Sequence, residues 1–305
     1  MNSFVADLIL LFTAFVWGSG FIAQRLGMGH MGPFSFNAAR FTLAGIILFP
    51  SVFFWIRKQH HSGNSIFSKQ LKLIVAVGLF LFVGATMQQA GLVTISAGKA
   101  GFLTSLYVVM VAFLGAFVKR PPEGRHWIGA LLASIGAYLL SITNTFSLET
   151  GDILVCIGAI AWAAHILAID RTLQQGVPAF VLAGAQFLFC GLLNLLMACI
   201  FETSVWTGIT SGWQSILYSG GIVVVLGYSL QIVGQQAAKP AHAAILLSLE
   251  SLFAAVLGWI ILGEHLTQRG IIGCFFILLA VLVCEIKMNT IYVTKIFNLL
   301  KNKNR

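Results

Sequence analysis

About ten stretches of this chain are each long and apolar enough to cross a lipid bilayer, and that fact narrows its possible folds more than any motif. They lie near residues 4–24, 34–56, 71–92, 97–118, 126–144, 152–170, 178–200, 213–235, 241–262 and 270–287. A crossing helix needs about 20 mostly apolar residues to span roughly 30 Å of hydrocarbon. Within hydrocarbon every backbone N–H and C=O must be satisfied internally, which leaves helices or a closed barrel. The short alternating segments of a membrane barrel are missing from the sequence. The expected fold is therefore an all-α integral membrane protein of about ten transmembrane helices.

The charges fit the same picture. Only 9% of the residues are charged, against roughly 25% in a soluble domain, so a chain of this composition could not clothe a water-facing surface. The formal net charge of +9 would suit a nucleic-acid binder, but most of the Lys and Arg lie in short connections or in the C-terminal stretch. With the N-terminus inside, the inner connections carry Arg57, Lys58, Lys69, Lys72, Lys119, Arg120, Arg125, Arg171 and Lys239, and the tail carries five more from Lys287 to Arg305. The outer connections hold Arg25, Lys99 and Arg269. By the positive-inside rule both termini are expected in the cytoplasm, with the protein in the cell membrane. Nucleic acid is not an expected partner. The tail reads either as an amphipathic helix on the anionic inner leaflet or as an untethered basic segment. The apolar run from Phe4 has no basic residue before it and no Ala-x-Ala site after it, so it reads as a retained first span. The five cysteines all lie in apolar segments without a CxxC pair, as small apolar residues do. No metal or cofactor is expected.

The second half of the chain echoes the first. Leu8 to Trp17 (LILLFTAFVW) matches Ile153 to Trp162 (ILVCIGAIAW), and Phe41 to Gly45 matches Phe187 to Gly191. Gly84, Gln88 and Gly91 fall on Gly227, Gln231 and Gly234. Ala100 to Leu106 (AGFLTSL) falls on Ala243 to Leu249 (AAILLSL). The offset stays between 143 and 146 residues throughout. The expected organisation is a five-helix repeat over 1–145, a second over 150–288, and a basic cytoplasmic tail over 289–305. Five spans is an odd number, so the second repeat would enter the membrane inverted. Inverted repeats are the common plan of secondary transporters, with the substrate near the midplane between the halves.

The sequence also resembles the EamA-type drug/metabolite transporter superfamily, over nearly its whole length and in two copies. The carrying segments are Trp17-Gly18-Ser19-Gly20-Phe21, Ala39-Arg40-Phe41, Gly151-Asp152, Ala161-Trp162-Ala163, Pro240 to Glu250, and Leu262-Gly263-Glu264 with Leu266-Thr267 and Gly273. The resemblance implies ten helices, alternating access, and export of amino acids or other metabolites. The chain departs from that family in carrying Ala112 and Ser251 where prolines are common, which puts bending of the fourth and ninth spans in question. The first copy also has Lys119-Arg120-Pro121-Pro122 in place of Gly263-Glu264.

Few residues stand out against so apolar a background. Glu250 is the one acid deep in a span, where a charge costs roughly 3 kcal/mol on insertion scales. It reads as a substrate counter-charge or proton-coupling carboxyl, or else as a structural carboxyl bonded to a neighbouring helix. The repeat sets Tyr107 opposite it. Gln88 and Gln231 form a matched pair, facing across a cavity or gluing helices together. Trp17 and Trp162 lie mid-span, away from the interface where tryptophan collects, as pocket lining or as packing. His165 follows Trp162 on the same helix face, as ligand, relay or interhelical hydrogen bond. Arg40 is expected near the outer interface, snorkelling or meeting a substrate carboxylate. Lys99 and His242 match across the repeat and suit interfacial anchoring. The glycines around Trp17 are expected to loosen the first helix, and the stripes Gly84/Gly91 and Gly220/Gly227/Gly234 to let helices approach and slide.

The function that follows is a secondary active transporter, an exporter of a small metabolite such as an amino acid or amine, with protons as a candidate coupling ion. There is no P-loop, zinc pattern or Ser-His-Asp set, so the chain does not read as an enzyme. The alternatives are a membrane-embedded enzyme or lipid-handling protein, which needs polar clusters near one face, and a channel, which shows flux without exchange.

Overall fold

A computed structural model describes residues 1–60, 65–95, 97–141, 149–203, 208–262 and 267–285. The tail, and the Gly263-Glu264 pair of the resemblance, lie outside them. Among the described residues all regular structure is helical. The chain runs through α1 (Ser3–Met28), α2 (Pro33–His60), α3 (Ser65–Gly91), α4 (Ala97–Ser105), α5 (Tyr107–Phe117) and α6 (Gly124–Ser141). It continues with α7 (Thr150–Leu173), α8 (Ala179–Phe201), α9 (Ile209–Leu217), a π-helical segment (Tyr218–Tyr228) and α10 (Ser229–Gly234). Helices α11 (Pro240–Leu247), α12 (Glu250–Leu262) and α13 (Gln268–Glu285) complete it. Eight stretches are long and apolar enough to cross a membrane, with α4–α5, α9–α10 and α11–α12 each forming one of them. The expected fifth and tenth spans are present as helices of 18 residues each, α6 and α13, which fall outside those eight. Against the expected ten, eight stretches among the described residues meet the measure of length and hydropathy.

Outward-facing side chains such as Ile46, Phe54, Ile200, Ile260 and Phe275 are all more than half exposed. So broad an apolar exterior suits lipid and no aqueous surface. The core is made where helices meet: Phe41, Phe187, Leu182 and Ile232 are fully buried at the centre. Helix α2 packs along α8, α6 along α13, and α3 along α7, while α1 packs on α12 and on the π segment and α10. Glycine permits the tightest of these. A Cβ on Gly136 would lie 2.6 Å from the Gly273 carbonyl oxygen, and a Cβ on Gly273 would lie 2.5 Å from that of Gly136. The close approach lets α6 and α13 pack backbone to backbone without any strong polar pair.

Local chemistry places the helix ends. Pro33 and Pro240 open α2 and α11, where a missing N–H costs nothing. Glu202, from the connection after α8, accepts from the Phe34 N–H at 2.8 Å and the Ser35 N–H at 3.0 Å, and Ser35 Oγ donates to it as well. A carboxylate there satisfies orphan donors and complements the positive end of α2.

Two expectations need correcting. The glycines around Trp17 do not loosen the first helix, since α1 runs unbroken past them. Gly18 is instead a contact point, where a Cβ would lie 2.8 Å from the Glu250 carbonyl oxygen. The fourth and ninth spans, lacking the family prolines, nonetheless break. The first break is at Leu106 between α4 and α5; the second is at Ser248-Leu249 between α11 and α12. A matched pair of serines stands at the two breaks. Ser105 Oγ donates to the Phe102 carbonyl and Ser248 Oγ to the Ile245 carbonyl, each at 2.7 Å. Such back-bonding competes with the helical ladder, and the next backbone bonds tighten to i→i−3 at Leu249 and Val109.

Candidate functional site

Each break delivers a polar side chain to the same cavity. Tyr107 is the first residue of α5 and Glu250 the first of α12. They line one cavity of about 40 Å³, room for roughly three waters and too little for a metabolite. Gln88 from α3 and Gln231 from α10 are on the same wall, as are Trp17 from α1 and Trp162 from α7. Of the eight residues that the sequence offers for substrate binding or coupling, seven thus meet around one cavity.

Arg40 is the seventh, and here the interfacial expectation fails. It is 4% exposed and lines the cavity. Its Nε donates to Asn37 Oδ1 at 2.9 Å, and the guanidinium rests 4.9 Å from the Phe41 ring centroid and 5.4 Å from that of Phe36. The burial has a local cause. The π segment presses on α2 so closely that a Cβ at Gly220 would lie 2.9 Å from the Arg40 carbonyl oxygen. A guanidinium stacked on aromatic rings in this way keeps part of its donor fork free for a carboxylate.

His165 is the eighth, and it does not reach the wall. It is fully buried behind Trp162, and its Nε2 shares a 2.7 Å hydrogen bond with Gln186 Oε1.

Sequence reading missed the aromatic centre of the site. Tyr228 lies 5.9 Å from the Trp162 ring, nearly parallel to it at 22°, and 4.8 Å from the Trp17 ring. It also touches Phe41, Phe187 and His165. At the offset that joins Gly84 to Gly227 its counterpart is Ala85, so a search for matched pairs passes over it. The usable signal was its position three residues before Gln231, which puts both on one helix face.

The wall is polar and short of partners. Among the described residues the indole nitrogens of Trp17 and Trp162, the amide oxygens of Gln24 and Gln231, and the Thr104 hydroxyl have none. Each orphan of this kind costs about 1–3 kcal/mol, which favours an occupant that brings hydrogen-bonding groups. Glycine is what lets the two indoles lie where they do. A Cβ on Gly84 would lie 2.9 Å from the Trp162 ring, and one on Gly227 would lie 2.7 Å from Trp17 Nε1.

Two further contacts join carboxylates to basic side chains of other helices, one buried and one half-buried. Lys99 at the start of α4 reaches Asp152 at the start of α7, 2.8 Å away. His242 at the start of α11 reaches Asp7 near the start of α1, at 2.9 Å. Lys99 and His242, which the sequence suggested as interfacial anchors, each meet a carboxylate of another helix. Among the described residues no cluster of His, Cys, Asp and Glu is suited to a metal ion.

Comparisons with known proteins give a consistent result. The sequence profile of the EamA-like transporter family matches residues 4–142 and again 149–285. An "Uncharacterized transporter" of Archaeoglobus fulgidus is 31% identical over 284 residues, covering 93% of this chain and 86% of that protein. A "Probable amino-acid metabolite efflux pump" of Salmonella typhimurium is 25% identical over 295 residues, covering 91% of this chain and 92% of its own length. A solved crystal structure superposes with a TM-score of 0.74 at 21% identity, over 93% of this chain and 97% of the other, which establishes a shared fold.

Proposed function

The chain belongs to the EamA-like transporter family, and from that premise we propose that it is a secondary active transporter exporting an amino acid or amine across the cytoplasmic membrane by alternating access. The observation that carries the reading is the enclosure of Glu250 and Arg40 on one cavity wall beside Trp17, Trp162 and Tyr228. A carboxylate offers a partner to an ammonium group, a guanidinium to a carboxylate, and stacked rings to an apolar side chain. The name of the Salmonella relative supports the same class of substrate.

Alternating access draws support from the pairing of helices. Matched elements pack in matched ways: α3 on α7 answers α1 on the π segment and α10, and α2 on α8 and α6 on α13 pair an element with its own counterpart. Glycine contacts repeat as well, Gly91 against Val155 and Gly234 against Leu10. These regularities support two five-helix halves, over 1–145 and 150–288, inverted about an axis through the cavity. The broken α4–α5 and α11–α12 are the discontinuous helices that such transporters place at the midplane. Glu250 is then the group that exchanges substrate for a proton, and both termini lie in the cytoplasm.

The test is exchange in proteoliposomes preloaded with amino acids and amines, with and without a pH gradient. Saturable exchange accelerated by substrate on the far side is expected for one class. Flux without such acceleration would mean a channel, and a silent panel with folded protein would shift the reading away from these substrates.

A further inference from the structure

The Lys99–Asp152 and His242–Asp7 contacts are related to one another in a way that the cavity alone does not reveal. Asp7 and Asp152 stand 145 residues apart, the offset that also relates Leu8 to Ile153, and Lys99 and His242 stand 143 apart, the offset of Ala100 and Ala243. Each pair joins a residue from 1–145 to a residue from 150–288, so both bridge the halves. They also lie at opposite ends of the molecule. Asp152 opens α7, while Asp170 near its far end shares a pocket with Lys239 and Ala241 at the start of α11, beside His242. The 18 residues from Asp152 to Asp170 correspond to roughly 27 Å of helix.

We infer that Lys99–Asp152 and His242–Asp7 are the two gates of this protein, each latching one face of the central site. This rests on the alternating-access reading above. Both latches are formed here, and the cavity lined by Trp17, Trp162 and Glu250 has room for only about 40 Å³. Opening toward one face requires one pair to part while the other holds. The helices that carry them suit that motion. Asp7 and Asp152 ride on α1 and α7, which line the cavity through Trp17 and Trp162, whereas the cross-half contacts α2–α8 and α6–α13 involve neither latch.

Other ionic contacts cross between the halves, and burial separates them from the latches. Lys239–Glu123 has side chains 70% and 45% exposed, and in Arg120–Asp170 the arginine is 40% exposed; screened pairs of this kind contribute little. The Lys99 and Asp152 side chains are 11% and 3% exposed, those of His242 and Asp7 15% and 19%. Asp152 Oδ2 also accepts the Glu149 N–H at 2.7 Å, and Glu149 stands 3.7 Å from Lys99, so that latch is anchored at its base. Removing one partner of Lys99–Asp152 leaves a buried charge without its counter-ion, and removing Asp7 takes the carboxylate from the half-buried His242 ring; water entry then satisfies the group left behind.

The test is independent of any substrate. Thr104, on the cavity wall, is replaced by cysteine in a chain whose five native cysteines are removed. A membrane-impermeant maleimide is then added to either face of reconstituted vesicles. With both latches intact, labelling should be slow from both faces. Asp7→Asn should accelerate it about tenfold from the face where α1 begins and leave the other unchanged. Asp152→Asn should do the reverse, and Lys99→Gln serves in its place if that variant does not fold. No acceleration, or equal acceleration from both faces, overturns the proposal. One-sided opening with a silent exchange panel would keep the latches and retire the transport reading, while exchange without one-sided opening would do the opposite.

Discussion

Single side chains carry the chemistry, and three of them make separable predictions. Glu250→Gln keeps the volume and a hydrogen-bonding amide but loses the titrating oxygen. It is expected to lose most of its exchange activity and to flatten what remains against pH, measured as initial exchange rates between pH 5.5 and 8.5. Glu123 is the control. The neighbouring Lys239 and Arg125 hold its carboxyl below the usual carboxylate range. A depressed acid adds stability above its unfolded pKa and loses it as pH falls through the folded one. That window is acidic, so Glu123→Gln should leave the profile between pH 5.5 and 8.5 unchanged. Glu202→Ala removes the cap of α2 and should destabilise the protein by about 1–2 kcal/mol, seen as a lower melting temperature in detergent. The sequence told which side chains were unusual, but not which way they faced. In a soluble helix the polar face marks the outside; here lipid and core are both apolar, so nothing distinguished an inward Arg40 from a snorkelling one. Glu202 was legible only as a charge in a connection, because its partners lie 167 and 168 residues away.

At the scale of elements the positions of helices were readable and their interruptions were not. Runs of apolar residues reveal spans because hydrocarbon thickness sets their length. The breaks in the fourth and ninth spans were sought as prolines and coincide with serines, a weaker signal common throughout membrane helices. Ser248→Ala should restore the α11–α12 ladder, draw Glu250 from the wall, and slow exchange several-fold while raising the melting temperature. The π segment was likewise invisible, since a π turn depends on hydrogen-bond register and not on composition. Its counterpart α3 is a regular helix, so the two halves differ most at the element that delivers Tyr228. The matched glycines behave as close-contact points. Gly84→Val and Gly227→Val each force an indole out of the wall, an overpacking cost of about 1–3 kcal/mol. Exchange should fall sharply in both, with the detergent-solubilised protein still monodisperse by size-exclusion chromatography.

At the scale of the whole molecule, resemblance between the halves is more than a record of duplication. It says which contacts should come in pairs, and the paired contacts are found at the indoles, at the serine breaks and at Lys99–Asp152 and His242–Asp7. Where the pairing fails, function has room to be directional. One latch ends in an ammonium and the other in an imidazole; one half offers Tyr107 to the cavity and the other Glu250. Such differences are where a symmetric scaffold acquires a preferred sense of travel.

Two tryptophans face a tyrosine on the wall of the central cavity. Indole emission shifts to the red as its surroundings become wet and dims when a quencher stacks on the ring, so the molecule carries its own optical gauge. Titrating a bound substrate should change the emission of Trp17 and Trp162, and Tyr228→Phe should alter that response more than replacement of an outward-facing tryptophan such as Trp259. Occupancy could then be read by eye of the spectrometer, with no label attached and before any solute has crossed the membrane.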